Sequence, residues 1–143
     1  METTLQNKLE FLGVGFPMVV FRSTGLYIPN EQPIELEISP KVFFLPNDNR
    51  QFKIVMEVNL NVENIFNLSL LAIGEFRHSE AIDEKMKLNF VNTNAPAIVF
   101  PYVRSYISTL TSLSGSQIST IILPPQIFKG QLEEIAVDKL NKF

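Results

Sequence analysis

The sequence predicts an α+β fold, strands first and helices after. Between Phe11 and Phe76 apolar residues recur with a period of two, the spacing of a strand. The cluster Pro46-Asn47-Asp48-Asn49 supplies turn chemistry between two of these runs. From Pro96 onward the apolar spacing changes to that of a helix. Strand-like runs followed by helix-like runs make a layer of sheet covered by a layer of helix.

In the first strand, Leu12, Val14, Phe16, Met18 and Val20 alternate with Phe11, Gly13, Gly15, Pro17, Val19 and Phe21, so both faces carry apolar groups. A half-exposed strand shows them on one face only. Pro17 has no N–H for a ladder, which puts this strand at an edge or a bulge. An apolar edge aggregates unless covered, so a second subunit is expected over it, the alternative being cover from the same chain. Gly25-Leu26-Tyr27-Ile28-Pro29-Asn30 is a loop with an apolar centre. Ile34, Leu36 and Ile38 then alternate with Glu35, Glu37 and Ser39, a strand with one wet face. In the third strand Phe52, Ile54, Met56, Val58 and Leu60 face in, while Lys53, Val55, Glu57 and Asn59 face out. A fourth run extends from Ile65 to Phe76. Short connections make strands two to four an antiparallel meander.

Residues 77–94 form a polar connection with room for a short helix over Ile82 to Phe90. A helix is expected over about 96–113, with Val99, Val103, Ile107 or Tyr106, Leu110 and Leu113 as its apolar stripe and Arg104, Ser105, Ser108, Thr109, Thr111 and Ser112 filling much of the remainder. Pro101 either starts this helix or kinks it, and Gly115 stops it. An extended loop from Ser114 to Pro125 leads to a second helix over about 127–140, with Phe128, Leu132, Ile135, Ala136 and Leu140 set against Glu133, Glu134, Asp138 and Lys139.

At 143 residues the chain fits one domain. Its 12 phenylalanines, with no tryptophan, give many large side chains without a polar handle. A domain of this size buries only about two-thirds of its chain surface, so some apolar surface is expected to serve a partner or a sister subunit. The net charge of −3 lacks the basic face that phosphates require. The scattered Lys and Arg form no polybasic membrane patch, and the absence of cysteine removes disulfides and thiolate metal sites. The N-terminus has no signal-peptide pattern, and the longest apolar run, Phe16 to Phe21, is far short of a span. A soluble protein that stays in the cytoplasm is expected, with no direct membrane insertion.

Catalytic chemistry is thinly represented. His78, the single histidine, sits in Arg77-His78-Ser79-Glu80. Adjacent residues do not converge on one reacting atom, so a solvated loop histidine is expected. No zinc, calcium or phosphate-loop spacing occurs. Catalytic residues, metal ligands and cofactor-binding residues are all expected to be absent.

The stretch Asn94-Ala95-Pro96-Ala97-Ile98-Val99-Phe100-Pro101-Tyr102-Val103-Arg104 closely resembles the signature that opens the first long helix of the SecB family of export chaperones. Ile121-Ile122-Leu123-Pro124-Pro125-Gln126-Ile127-Phe128 is similar to the family's run into its second helix. The likeness is strong between Asn94 and Phe128 and loose from about Phe11 to Leu140. It implies one SecB-like domain over residues 1–143, a four-stranded antiparallel sheet with two helices on one face, assembled as a homotetramer, a dimer of dimers. It also implies a holdase without cofactor or enzymatic activity, which binds unfolded preproteins in apolar grooves and passes them to the SecA motor for export.

On this resemblance Leu26, Tyr27, Ile28, Ile121, Ile122, Leu123, Phe128, Leu132 and Ile135 are expected to line the client groove. Val19, Phe21, Phe100, Tyr102 and Tyr106 are expected at subunit interfaces. Acidic sheet positions that the family uses toward SecA align with Met18, Arg22, Asn67 and Ser69, leaving Glu35, Glu37, Glu57 and Glu75 as the expected acidic face. That departure keeps open a chaperone dedicated to one partner, such as an antitoxin. A small-molecule or lipid carrier is the alternative from another class.

Overall fold

The computed structural model describes residues 8–23, 33–114 and 120–136. Four strands, β1 (Leu9–Ser23), β2 (Glu35–Phe44), β3 (Gln51–Val62) and β4 (Phe66–His78), come first. Helix α1 (Glu84–Asn89), a π-helical turn (Phe90–Asn94), helix α2 (Ala95–Ser112) and a two-residue strand β5 (Glu133–Glu134) follow. The strands make one mixed sheet in the order β1-β4-β3-β2-β5, antiparallel except that β5 runs parallel to β2. The helix lies on one face.

The expected meander of β2, β3 and β4 is present. Its first turn is closed by Asp48, whose Oδ1 accepts the Arg50 N–H at 2.9 Å. Asn64 takes φ +64° in the second, a left-handed conformation that asparagine tolerates. Alternation then sorts the side chains. Ile54, Met56, Val58 and Leu60 of β3 and Leu68, Ala72 and Phe76 of β4 are fully buried on the helix side. Ala95, Val99, Val103 and Ile107, one every fourth residue of α2, meet them and are fully buried too. The approach is closest at Gly74, where an added Cβ would stand 2.5 Å from Val99 Cγ2.

Phenylalanines fill one end of this interface. Phe44, Phe52, Phe76 and Phe11 are successive neighbours across β2, β3, β4 and β1, with ring centroids 6.3, 5.4 and 5.2 Å apart. Tyr102 of α2 ends the row, 5.5 Å from Phe11. The described phenylalanines therefore belong to the interior. Among the described residues, the exposed large apolar side chains are mainly aliphatic: Leu12, Met18, Val20, Ile34, Leu88, Leu113, Ile122 and Ile127, with Tyr102.

β1 is an end strand, and Pro17 lies in a bulge, so its missing N–H breaks no ladder. Register shifts fall between Phe11 and Gly13 and between Gly15 and Met18. Each bulge inverts the side-chain parity, which lets Phe11, Val14, Phe16, Val19 and Phe21 all pack on the main core. Gly13 permits the first bulge with φ +132°.

Four sequence expectations are corrected. Residues 127–136 form no second helix: they are extended and carry β5. Pro124 and Pro125 precede them, and Gly130 turns the chain at φ +90°. Phe128, Leu132 and Ile135 have helical spacing by coincidence, for they reach different places: Phe128 and Leu132 the main core, Ile135 a cluster on the opposite face of the sheet. Residues 137–140 of the expected helix lie outside the described residues. Among the described residues the sheet accordingly has five strands instead of four.

The polar connection over 77–94 is mostly regular structure. Arg77 and His78 complete β4, and Asp83 caps α1 by accepting the Met86 N–H at 2.8 Å. The helix continues through the π turn into α2, and through Pro101. Pro96 explains the wide turn: it offers no N–H, and its ring would meet the Asn92 carbonyl in a regular helix. The Ala95 N–H instead reaches back five residues to Phe90.

His78 is buried, not solvated. Its ring Nδ1 lies 2.9 Å from the Ser79 carbonyl, and the Ser79 hydroxyl makes no hydrogen bond. No serine–histidine relay exists there.

The Gly74–Val99 contact generates a stability prediction. Gly74→Ala overpacks the helix–sheet seam and is expected to cost about 1–3 kcal/mol in urea denaturation. Gly15→Ala, where an added Cβ meets nothing within 4 Å, is expected to stay within about 0.5 kcal/mol of the parent.

Candidate functional site

Residues 120–136 run back along α2 as an extended strap. Leaving the C-terminal end of the helix, the strap passes Thr111, Ser108, Arg104 and Phe100, and reaches Asn92 in the π turn. That stretch of helix is about 28 Å long, and the eleven steps from Ile121 to Leu132 reach at most about 36–40 Å. The strap therefore follows an extended path with some slack, part of it taken up where Gly130 turns the chain at φ +90°.

Its backbone groups are met by helix side chains. Thr111 Oγ1 accepts the Ile121 N–H at 2.9 Å while donating to the Ile107 carbonyl at 2.8 Å. Ser108 donates to the Ile121 carbonyl at 3.0 Å and Arg104 Nε to the Leu123 carbonyl at 2.8 Å. Asn92 Oδ1 accepts the Leu132 N–H at 3.0 Å. Beyond this, β5 pairs with β2 and the Ile135 N–H donates to the Val42 carbonyl at 2.8 Å. Polar groups leaving water need such partners. Sequence reasoning placed Arg104, Ser108 and Thr111 on the helix without assigning them this task. Their i, i+4, i+7 spacing, a polar stripe beside the apolar one, was the available signal.

Apolar side chains complete the strap. Leu123 is buried, and Ile121, Phe128 and Leu132 pack on the main core, Phe128 with its ring 5.8 Å from Phe100. Ile122 and Ile127 point outward and are 72% and 88% exposed. On the side toward α1 the strap is not sealed. A cleft of about 560 Å³ opens there, lined by Phe44, Lys87, Leu88, Val91, Leu132 and Glu134 among others. Lys87 Nζ stands 5.2 Å over the Phe44 ring.

The structure divides the expected client-groove residues. Ile121, Leu123, Phe128 and Leu132 lie together under the strap, Ile122 lies on its outside, and Ile135 packs with Phe43, Val55 and Leu71 on the far face of the sheet. Leu26, Tyr27 and Ile28 lie outside the described residues. Of the expected interface residues, Val19, Phe21 and Tyr106 pack on the core, Tyr106 4.4 Å from Phe16, and Phe100 is buried beneath Phe128. Tyr102 is the one of the five with a largely open surface.

Glu35, Glu37, Glu57 and Glu75 share the sheet face opposite the helix, as the register requires. Glu57 is paired with Lys41 at 3.2 Å and Glu75 with Lys53 at 3.3 Å. The same face carries Met18, Arg22, Asn67 and Ser69. It also holds the Phe43–Val55–Leu71–Ile135 cluster, beside a cavity of about 260 Å³ lined by Pro17, Lys53 and Ile73 among others. This face is apolar at its centre and only partly acidic. Among the described residues no group of three or more His, Cys, Asp or Glu is placed to hold a metal ion.

The clamp on the strap is testable. Thr111→Val keeps the shape of a fully buried side chain but strands the Ile121 N–H. It is expected to cost about 1–3 kcal/mol in thermal or urea unfolding and to speed limited proteolysis within residues 120–136.

Comparisons with known proteins follow the same outline. No known family model matches the sequence. An uncharacterized protein of Methanocaldococcus jannaschii is 28% identical, with 76% of each chain covered. Among solved structures, the Mycobacterium tuberculosis SecB-like chaperone Rv1957, in complex with a ChAD peptide from the HigA1 antitoxin, superposes with a TM-score of 0.66. The match covers 85% of this chain and 90% of that one at 16% identity. Likeness of this extent at so low an identity establishes architecture: the chain has the fold of the SecB-like chaperones.

Proposed function

We propose that the chain is a chaperone that holds extended, unfolded segments of other proteins and catalyses no reaction. The observation that carries this reading is the apolar surface left open around the strap, where Leu113, Ile122 and Ile127 are 80%, 72% and 88% exposed. Burying such surface yields roughly 25 cal/mol per Å² and demands no directional geometry, so many sequences satisfy it. A folded protein, with its apolar residues inside, offers little in return. Holding the unfolded form also shifts a client's folding equilibrium by mass action. The SecB-like fold supports the same reading.

The assembly we propose is the homotetramer of that fold class, working in the cytoplasm as one SecB-like domain. β1 is an end strand with Leu12, Met18 and Val20 exposed, and Tyr102 lies open on the helix. These side chains, more than the inward-facing Val19, Phe21 and Phe100, offer a sister subunit surface to cover. Among the described residues no helix is long and apolar enough to cross a membrane.

Clients have two proposed destinations. One is export through SecA, docking on the face that carries Glu35, Glu37, Glu57 and Glu75. The other is a single dedicated partner such as an antitoxin. Two observations favour the second: the lysine pairing of Glu57 and Glu75, and the antitoxin peptide bound to the similar mycobacterial chaperone.

In light scattering the purified protein is expected at about four times 16.3 kDa. At near-stoichiometric amounts it should suppress aggregation of a model protein diluted from denaturant. A monomer without that effect contradicts the proposal. A bound small molecule in native mass spectra, with no affinity for unfolded chains, establishes a carrier instead. Co-purification from the host separates the destinations: many precursors together with SecA indicate export, one dominant protein a dedicated partner.

A further inference from the structure

Four side chains, three on α2 and one in the π turn, recognise the strap through its backbone, not through its side chains. Asn92, Arg104, Ser108 and Thr111 together bind two N–H and two C=O groups of Ile121, Leu123 and Leu132. Any extended polypeptide presents the same groups at similar intervals. The apolar floor beneath, with Phe100 and Val103, is met by Ile121, Leu123, Phe128 and Leu132, side chains that carry no polar group to fix their identity. The strap is thus an extended, apolar segment lying in a sequence-tolerant site.

We propose, resting on the chaperone reading, that this strap-covered face of α2 is itself the client site. Residues 120–136 are its resident pseudo-client, displaced when an extended apolar segment of an unfolded protein takes their place. The strap itself shows which occupant fits, because it already has the conformation and chemistry required.

Its attachment suits displacement. Among the described residues, no backbone-to-backbone hydrogen bond ties residues 124–131 to the helix or sheet. One edge stands open along the cleft beside α1. β5 is only two residues long, whereas β3 and β4 are locked in ladders of 12 and 13 residues. Segments with few anchoring bonds open at far lower free energy than core strands. Displacement exchanges one set of apolar contacts and backbone hydrogen bonds for another, so the cost of uncovering Phe100 is offset as the client binds. The strap then acts as an internal competitor and lowers apparent affinity by the fraction of time it is seated.

The sign of a substitution separates this from a groove lined by the strap's own side chains. Phe128→Ala and Leu132→Ala loosen the competitor, so each should tighten binding of reduced, carboxymethylated α-lactalbumin, a soluble chain that stays unfolded, by about three- to tenfold. Weaker or unchanged binding in well-folded variants overturns the proposal. A second measurement does not depend on their folding. The chain has no cysteine, so S105C with I122C can be bridged by a short bismaleimide that holds the strap on the helix. The bridged protein should bind the same client at least tenfold more weakly than the double variant capped with N-ethylmaleimide. Equal binding overturns the displacement idea while leaving the chaperone reading intact. A capped protein that binds no client overturns both.

Discussion

A polypeptide drawn across a helix has no ladder to satisfy its backbone, and along residues 121–132 the strap is anchored by side chains instead. Asn92, Arg104, Ser108 and Thr111 stand where a neighbouring strand would otherwise be. Their positions follow from the helix, and the helix in turn is seated by Gly74, which lets Val99 approach the sheet backbone. The π turn belongs to the same arrangement. By accommodating Pro96 it keeps α1 and α2 continuous, with Asn92 at the far end of the strap's path. Recognition of backbone groups over an apolar floor is tolerant of sequence by its physical nature.

The division of apolar residues gives this fold its character. Aromatic rings are drawn inward, in a row across four strands and into α2. Among the described residues, what remains outside is chiefly aliphatic, on the strap and on the edge strand above all. The expected left-over apolar surface is present, and among the described residues it is mainly aliphatic. Aliphatic side chains impose less geometric preference than stacked rings, which suits a surface that meets many sequences.

Much of the sheet was legible because burial on one side writes a period of two into β3 and β4. β1 was legible in its apolar character and in the bulge at Pro17. The two parity inversions were not, since they depend on how β1 registers against β4. The α2 stripe was equally clear. The final segment misled because Phe128, Leu132 and Ile135 fall on a helical period while serving separate contacts. Pro124, Pro125 and Gly130 were the countersignals. His78 escaped because a polar neighbourhood in sequence is no guide to burial when Arg50 supplies partners from another strand connection: its Nε donates to the His78 carbonyl and its carbonyl accepts the His78 N–H. Three of the clamp residues lay in plain view as polar helix positions and Asn92 in the polar connection, but their partner lies 10 to 40 residues away along the chain.

Hydrogen exchange at single-residue resolution, with and without a saturating unfolded chain, addresses the central claim most directly. On this account the amides of Ile121 and Leu132 exchange faster when the client is bound, because their acceptors on Thr111 and Asn92 have been taken, while β3 and β4 keep their protection. Slower exchange of those two amides in the presence of client, or no change, contradicts it.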